Sequence, residues 1–110
     1  MVLLVFYTDW CRFSQSVLVV FEQLASIISK QYPDPGIVVL GKINCNDEKR
    51  LVNTKENFII GYYPTIKVAS YGKVLKRDYR GRRTMENFVK LIEKCLEDPN
   101  FDLRDTHSWQ

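Results

Sequence analysis

The chain has 110 residues, of which 45% are apolar and 26% charged, so it holds enough apolar material for one modest core and is too evenly mixed for a disordered or repeat protein. A formal net charge of +3 is too small to imply a nucleic-acid partner, and the longest apolar runs, Val2–Tyr7 and Val17–Phe21, are far too short to cross a bilayer. Three cysteines cannot all pair within one chain, which suits a thiol that reacts with another molecule better than a disulfide scaffold.

Val2–Tyr7 reads as a strand buried on both faces, at the centre of a sheet. From Cys11 to about Ser29, the residues Val17, Leu18, Phe21, Leu24, Ala25 and Ile28 recur at helical spacing, and Pro33-Asp34-Pro35-Gly36 ends the pattern. Ile37–Asn44 is a second strand, after which Asn46 or Asp47 caps a short helix reaching about Asn57. The run Ile59-Ile60-Gly61-Tyr62-Tyr63-Pro64 is a turn ending in an X-Pro bond that is a candidate for the cis form. Thr65–Ser70 and Lys73–Tyr79 flank Tyr71-Gly72 as a hairpin. Thr84 caps a last helix with Met85, Phe88, Val89, Ile92, Cys95 and Leu96 along one stripe. The apolar pattern stops at Glu97, so residues 1–97 are expected to form the domain and residues 98–110 a linker or tail. The order is βαβαββα, an α/β arrangement.

The chemistry concentrates at Cys11-Arg12-Phe13-Ser14. A thiol attacks a disulfide only as thiolate, and a helix N-terminus favours that anion through unpaired N–H groups and the helix dipole. Cys11 follows a strand and opens a helix, with Arg12 as a nearby cation, so a lowered pKa is expected. Its attack on a client disulfide yields a mixed disulfide. A second cysteine three residues on would expel the client; Ser14 stands there instead, and a hydroxyl has neither the acidity nor the nucleophilicity for that step. Capture and release by exchange with an outside thiol is the expected behaviour, with at most weak thiol-disulfide exchange activity as an enzyme.

The segment Val5-Phe6-Tyr7-Thr8-Asp9-Trp10-Cys11-Arg12-Phe13-Ser14-Gln15, together with Ile43-Asn44-Cys45, Tyr63-Pro64-Thr65 and Tyr79-Arg80-Gly81, resembles a thioredoxin domain of the protein disulfide isomerase family. It is most similar there to the endoplasmic-reticulum branch with a CRFS motif, which retains proteins through thiols. The resemblance covers about residues 2–96. It implies a thioredoxin-like fold, a central mixed sheet flanked by helices, with cis Pro64 facing Cys11. It implies thiol-dependent retention and quality control in the endoplasmic reticulum lumen or early secretory pathway. The partners would be disulfide-bonded secretory clients and oxidoreductases. Cys11 carries over as the mixed-disulfide thiol and Ser14 as the degenerate resolving position, with Trp10, Arg12, Phe13, Tyr63, Pro64 and Thr65 as the client-binding surface. No cofactor is implied.

Three departures stand out. Val5 replaces a buried acid that relays protons to a second cysteine, and Val19 replaces a proline that kinks the helix. The family's usual first strand and helix are missing ahead of Val2, which would leave the Ile37–Asn44 strand as a bare edge open to self-association. No signal peptide or retention tetrapeptide is visible, so the compartment rests on resemblance.

Cys45 and Cys95 read as buried structural thiols, and His107 as a solvated side chain without the Cys/His spacing of a metal site. Lys73, Lys76, Arg77, Arg80, Arg82 and Arg83 form a basic stripe lacking the aromatic residues that stack nucleic-acid bases, so no nucleic acid is expected; the resemblance offers Arg82 or Arg83 as the counterpart of a family arginine that tunes the site. The alternative activity is a monothiol oxidoreductase similar to the CGFS glutaredoxins, resolved by glutathione. Against it, Arg12 replaces the small glycine and the late glycine pair is missing. A third reading is a thiol-inert scaffold.

Overall fold

The computed structural model describes residues 1–46 and 60–109, apart from the side chains of Asp105 and His107. The expected short helix through Asn57 and the environment of His107 therefore lie outside the described residues.

Six strand residues, Val2–Tyr7, form β1. Helix α1 follows at Arg12–Gln31, 20 residues free of glycine and proline, and Cys11 takes its N-cap position with extended backbone. The second strand, β2, begins at Val39 rather than Ile37 and ends at Asn44. Thr65–Ser70 is β3. The following strand, β4, is shorter than its sequence suggests and spans Lys73–Val74. Beyond it, single backbone bonds from Leu75 N to Val68 O and from Tyr79 N to Ile66 O carry the segment alongside β3. The turn between β3 and β4 places Tyr71 at φ 53° and Gly72 at φ 77°, the two left-handed residues that a tight two-residue hairpin requires. Helix α2 is Met85–Glu97, with the Thr84 side chain accepting from Asn87 N as the sequence implies.

Among the described residues the sheet has four strands in the order β2-β1-β3-β4. β1 pairs in parallel with β2, Phe6 opposite Ile43, and antiparallel with β3, Val5 opposite Ile66. The sheet is therefore mixed, and among the described residues β2 and β4 lie at its two edges.

Leu3, Val5, Ile66 and Val68 on one face meet Val17, Phe21, Leu24 and Ile28 of α1 and Phe88, Leu91, Ile92 and Cys95 of α2. Phe21 and Phe88 join the two helices edge to face, centroids 5.3 Å apart. Leu91, outside the stripe read from the sequence, is fully buried in this core. On the opposite face Phe6 and Cys45 form a smaller cluster with Leu4, Ile43, Ile60 and Tyr63 around it.

Residues past Glu97, read from sequence as a linker or tail, pack back onto the domain. A short 3-10 helix, Leu103–Ser108, buries Leu103 and Thr106. Phe101 and Trp109 lie against the main core, and the Trp109 carbonyl accepts from Asn87 Nδ2 at 2.8 Å and from Arg82 N at 3.1 Å. Spaced apolar residues among polar ones carry no helical or strand period, which is why this packing is invisible to pattern reading.

Candidate functional site

The site forms where β1 ends. The Thr8–Cys11 loop is held from both sides: Asp9 Oδ2 accepts from Asn44 Nδ2 at 3.3 Å and Asn46 Nδ2 at 3.0 Å, while Gln15 Nε2 donates to the carbonyls of Thr8 and Asp9. These contacts fix where the chain turns from strand into helix, and so where the sulfur sits.

Cys11 is partly exposed. As a neutral thiol it does not cap α1; its Sγ donates to the Tyr63 carbonyl at 3.7 Å. As an anion it is favoured by the helix end. Its pKa is held below the ordinary cysteine range chiefly by the backbone N–H of Ser14, against the desolvation that burial imposes; the Ser14 hydroxyl, the Phe13 N–H and the charge of Arg83 add to the lowering. Arg83, brought across from the segment after β4, adds its field at the sulfur. The fold brings residue 83 to the turn that contacts Cys11.

Ser14 is fully buried, and its hydroxyl accepts from Thr8 N at 3.3 Å. The position that would carry a second thiol is thus occupied by a group that ties the start of the helix to the end of β1. Cys45 and Cys95 form no disulfide and are buried; Cys45 Sγ donates to Ile43 O at 3.8 Å, and burial pushes the Cys95 thiol up to about 11. Cys11 alone of the cysteines combines access with a lowered pKa.

Facing Cys11 is the turn ending in the cis Tyr63-Pro64 peptide, the isomer that the sequence suggests. Pro64 is buried and its carbonyl accepts from Arg83 Nη2 at 3.4 Å. Trp10 stands 73% exposed beside it, edge to face with Tyr63 at 6.2 Å, and Phe13 is 67% exposed on the first turn of α1. Arg12 is exposed as well. Thr65 is fully buried, its hydroxyl bonded to the Tyr62 carbonyl, so it shapes the turn from beneath. Trp10, Cys11 and Tyr63 therefore make one surface, with Ser14, Pro64 and Thr65 buried below it.

Sequence reasoning left out Tyr62, Lys67 and Asp78, which sit together next to this turn. A lysine between Ile66 and Val68 in β3 is the available signal. No group of three His, Cys, Asp or Glu side chains able to hold a metal occurs among the described residues.

The Thioredoxin family model matches residues 1–94. Endoplasmic reticulum resident protein 44 of Bos taurus is 34% identical over 100 residues, covering 91% of this chain and 24% of that protein; the Homo sapiens protein of the same name is 33% identical over the same length. A protein disulfide-isomerase of Medicago sativa is 34% identical over 89 residues, 81% of this chain and 17% of that one. A crystal structure of human ERp44 superimposes with a TM-score of 0.75 at 32% identity over 89% of this chain and 28% of that one. The solution structure of the first thioredoxin domain of mouse protein disulfide-isomerase A4 gives 0.66 at 27% identity over 91% and 65%. The chain spans about a quarter of the length of the curated ERp44 relatives it matches.

Proposed function

The chain belongs to the thioredoxin family, and from that premise we propose that it takes part in thiol-dependent retention and quality control in the early secretory pathway, through reversible mixed disulfides at Cys11. Its relatives named as endoplasmic reticulum resident place it, by resemblance, in that lumen. One observation carries the reading: a partly exposed thiol of lowered pKa, whose would-be resolving position is a buried serine already bonded to Thr8 N.

In the first step the Cys11 thiolate attacks one sulfur of a client cystine. A Cys11–client disulfide forms, the client's own S–S bond breaks, and its other sulfur leaves as a thiolate. No electrons are gained or lost overall. Reversal requires a thiolate from outside, either a small thiol or the client's own freed sulfur, because Ser14 cannot attack and the thiols of Cys45 and Cys95 are buried.

Trp10, Phe13 and Tyr63 supply exposed or part-exposed aromatic surface around the sulfur, suited to an unfolded client segment. The backbone beside Pro64 offers a short stretch for an extended segment to pair with. The clients in this account are disulfide-bonded secretory proteins and oxidoreductases.

The experiment is to express the chain and Cys11→Ala in cells, block thiols, and compare covalent adducts on non-reducing gels. Reducible high-mass adducts that disappear in the variant are expected. An unchanged adduct pattern would refute the reading, and glutathione-dependent turnover by the purified chain would favour the monothiol oxidoreductase instead.

A further inference from the structure

A buried ionic cluster lies beside the Cys11-facing turn. Lys67 Nζ of β3 lies 2.5 Å from Asp78 Oδ1, with the two side chains 11% and 12% exposed. The other carboxylate oxygen accepts from Tyr62 Oη at 2.8 Å. Arg80 covers the Tyr62 ring with its guanidinium carbon 4.9 Å from the centroid, and its Nη2 stands 4.0 Å from Asp78.

A buried ion pair is weak evidence for stability, since well-packed apolar residues commonly do as well; what such a pair fixes is geometry. Here the fixed object is the turn. Tyr62 is held through its hydroxyl by Asp78 and through its carbonyl by the Thr65 hydroxyl. The next carbonyl, that of Tyr63, receives the Cys11 thiol at 3.7 Å, and the one after, that of Pro64, receives Arg83 Nη2 at 3.4 Å. Three successive carbonyls thus lead from the buried carboxylate to the sulfur and to the cation that acts on it.

We propose that Lys67, Asp78 and Tyr62 are positioning residues, an internal anchor that sets the Tyr62–Pro64 turn against Cys11 and keeps Arg83 docked on that turn. The inference rests on the reading of Cys11 given above. Burial and the bond to Asp78 push the Tyr62 hydroxyl up to about 12, so it stays protonated, and remains a donor to that carboxylate, through the whole range in which a thiol titrates. The charged and titratable groups near the sulfur are Arg83 across the turn, Tyr63 on the turn itself, and Asp9 and Arg12 next to it in the chain.

The test follows Cys11 alkylation by iodoacetamide against pH in the purified chain, with folding checked by circular dichroism. Tyr62→Phe deletes one hydroxyl and leaves ring, ion pair and core in place; Asp78→Asn removes the charge that holds both partners. Exposed Arg77→Ala is the nearby-charge control. A loosened turn lets Arg83 drift, so the alkylation midpoint rises in Tyr62→Phe and rises at least as far in Asp78→Asn, with Arg77→Ala unchanged. Equal midpoints in wild type and a folded Tyr62→Phe would overturn the positioning role while leaving an acidic Cys11 intact. A wild-type midpoint no lower than that of the urea-unfolded chain would overturn the reading of Cys11, and the positioning role with it.

Discussion

Ser14→Ala separates a serine that merely replaces a lost cysteine from one that the fold uses. Ser14 is fully buried, Thr8 is 2% exposed, and the Thr8 N–H reaches the Ser14 hydroxyl at 3.3 Å. Removing that oxygen strands a buried backbone donor, and the neighbouring Thr8 hydroxyl is itself buried without a hydrogen-bond partner, so it supplies no evident relief. An unsatisfied buried donor costs about 1–3 kcal/mol, and the length of this bond argues for the lower part, about 1–2 kcal/mol. In a chain of this size about 1 kcal/mol moves Tm by roughly 4 °C, so a fall of about 4–8 °C is expected. Urea unfolding of wild type and Ser14→Ala, with equal m values, gives the difference directly. Cys11 should stay acidic in the variant, because the Ser14 backbone N–H, the largest source of the lowering, is kept. A loss below about 0.5 kcal/mol would refute the structural role assigned to the hydroxyl.

In the native chain at neutral pH, iodoacetamide should modify Cys11 and spare Cys45 and Cys95, as read by peptide mass spectrometry. The Cys11 rate should fall as pH drops through its folded pKa, at a midpoint below that of the unfolded chain, because the lowered value keeps the thiolate populated to lower pH. Equal labelling of all three cysteines would contradict the site. Leu103→Ala should cost about 2–4 kcal/mol in urea unfolding, since Leu103 is 1% exposed against the main core; a negligible change would return the C-terminal segment to the status of a tail. Among the described residues β2 has a neighbour on one side, and Val39 and Lys42 are exposed along it, so sedimentation velocity should show self-association that grows with concentration; a strict monomer would contradict an open edge.

Much of the fold is readable from local signals. The apolar run Val2–Tyr7, the Thr84 cap and the Tyr71-Gly72 turn each act within a few residues, and each lands where its chemistry says. Position within the sheet is also implied, since β1 lies between β2 and β3. What escapes is long-range placement. Resemblance offers Arg82 or Arg83 for the site, but that it is Arg83, reaching Pro64 from 19 residues away, has no periodic signature. Lys67 looks like an interruption between Ile66 and Val68 until Asp78 is found beside it. The C-terminal residues carry isolated apolar anchors, Phe101, Leu103 and Trp109, whose burial depends on a surface the rest of the chain must build first. Ser14 is legible as a missing thiol, but its bond to Thr8 N is not, because that bond depends on how the loop folds.

The central claim is that Cys11 captures a disulfide and has no internal neighbour to release it. The direct measurement mixes the purified chain with a disulfide that links two separate peptides, removes both the unreacted disulfide and the released peptide thiol, and follows intact mass with and without added glutathione. A Cys11-linked adduct that persists until glutathione arrives is expected, absent in Cys11→Ala and short-lived in Ser14→Cys. An adduct that decays at the same rate without added thiol in wild type and in Ser14→Cys, or no adduct at all, would contradict the claim.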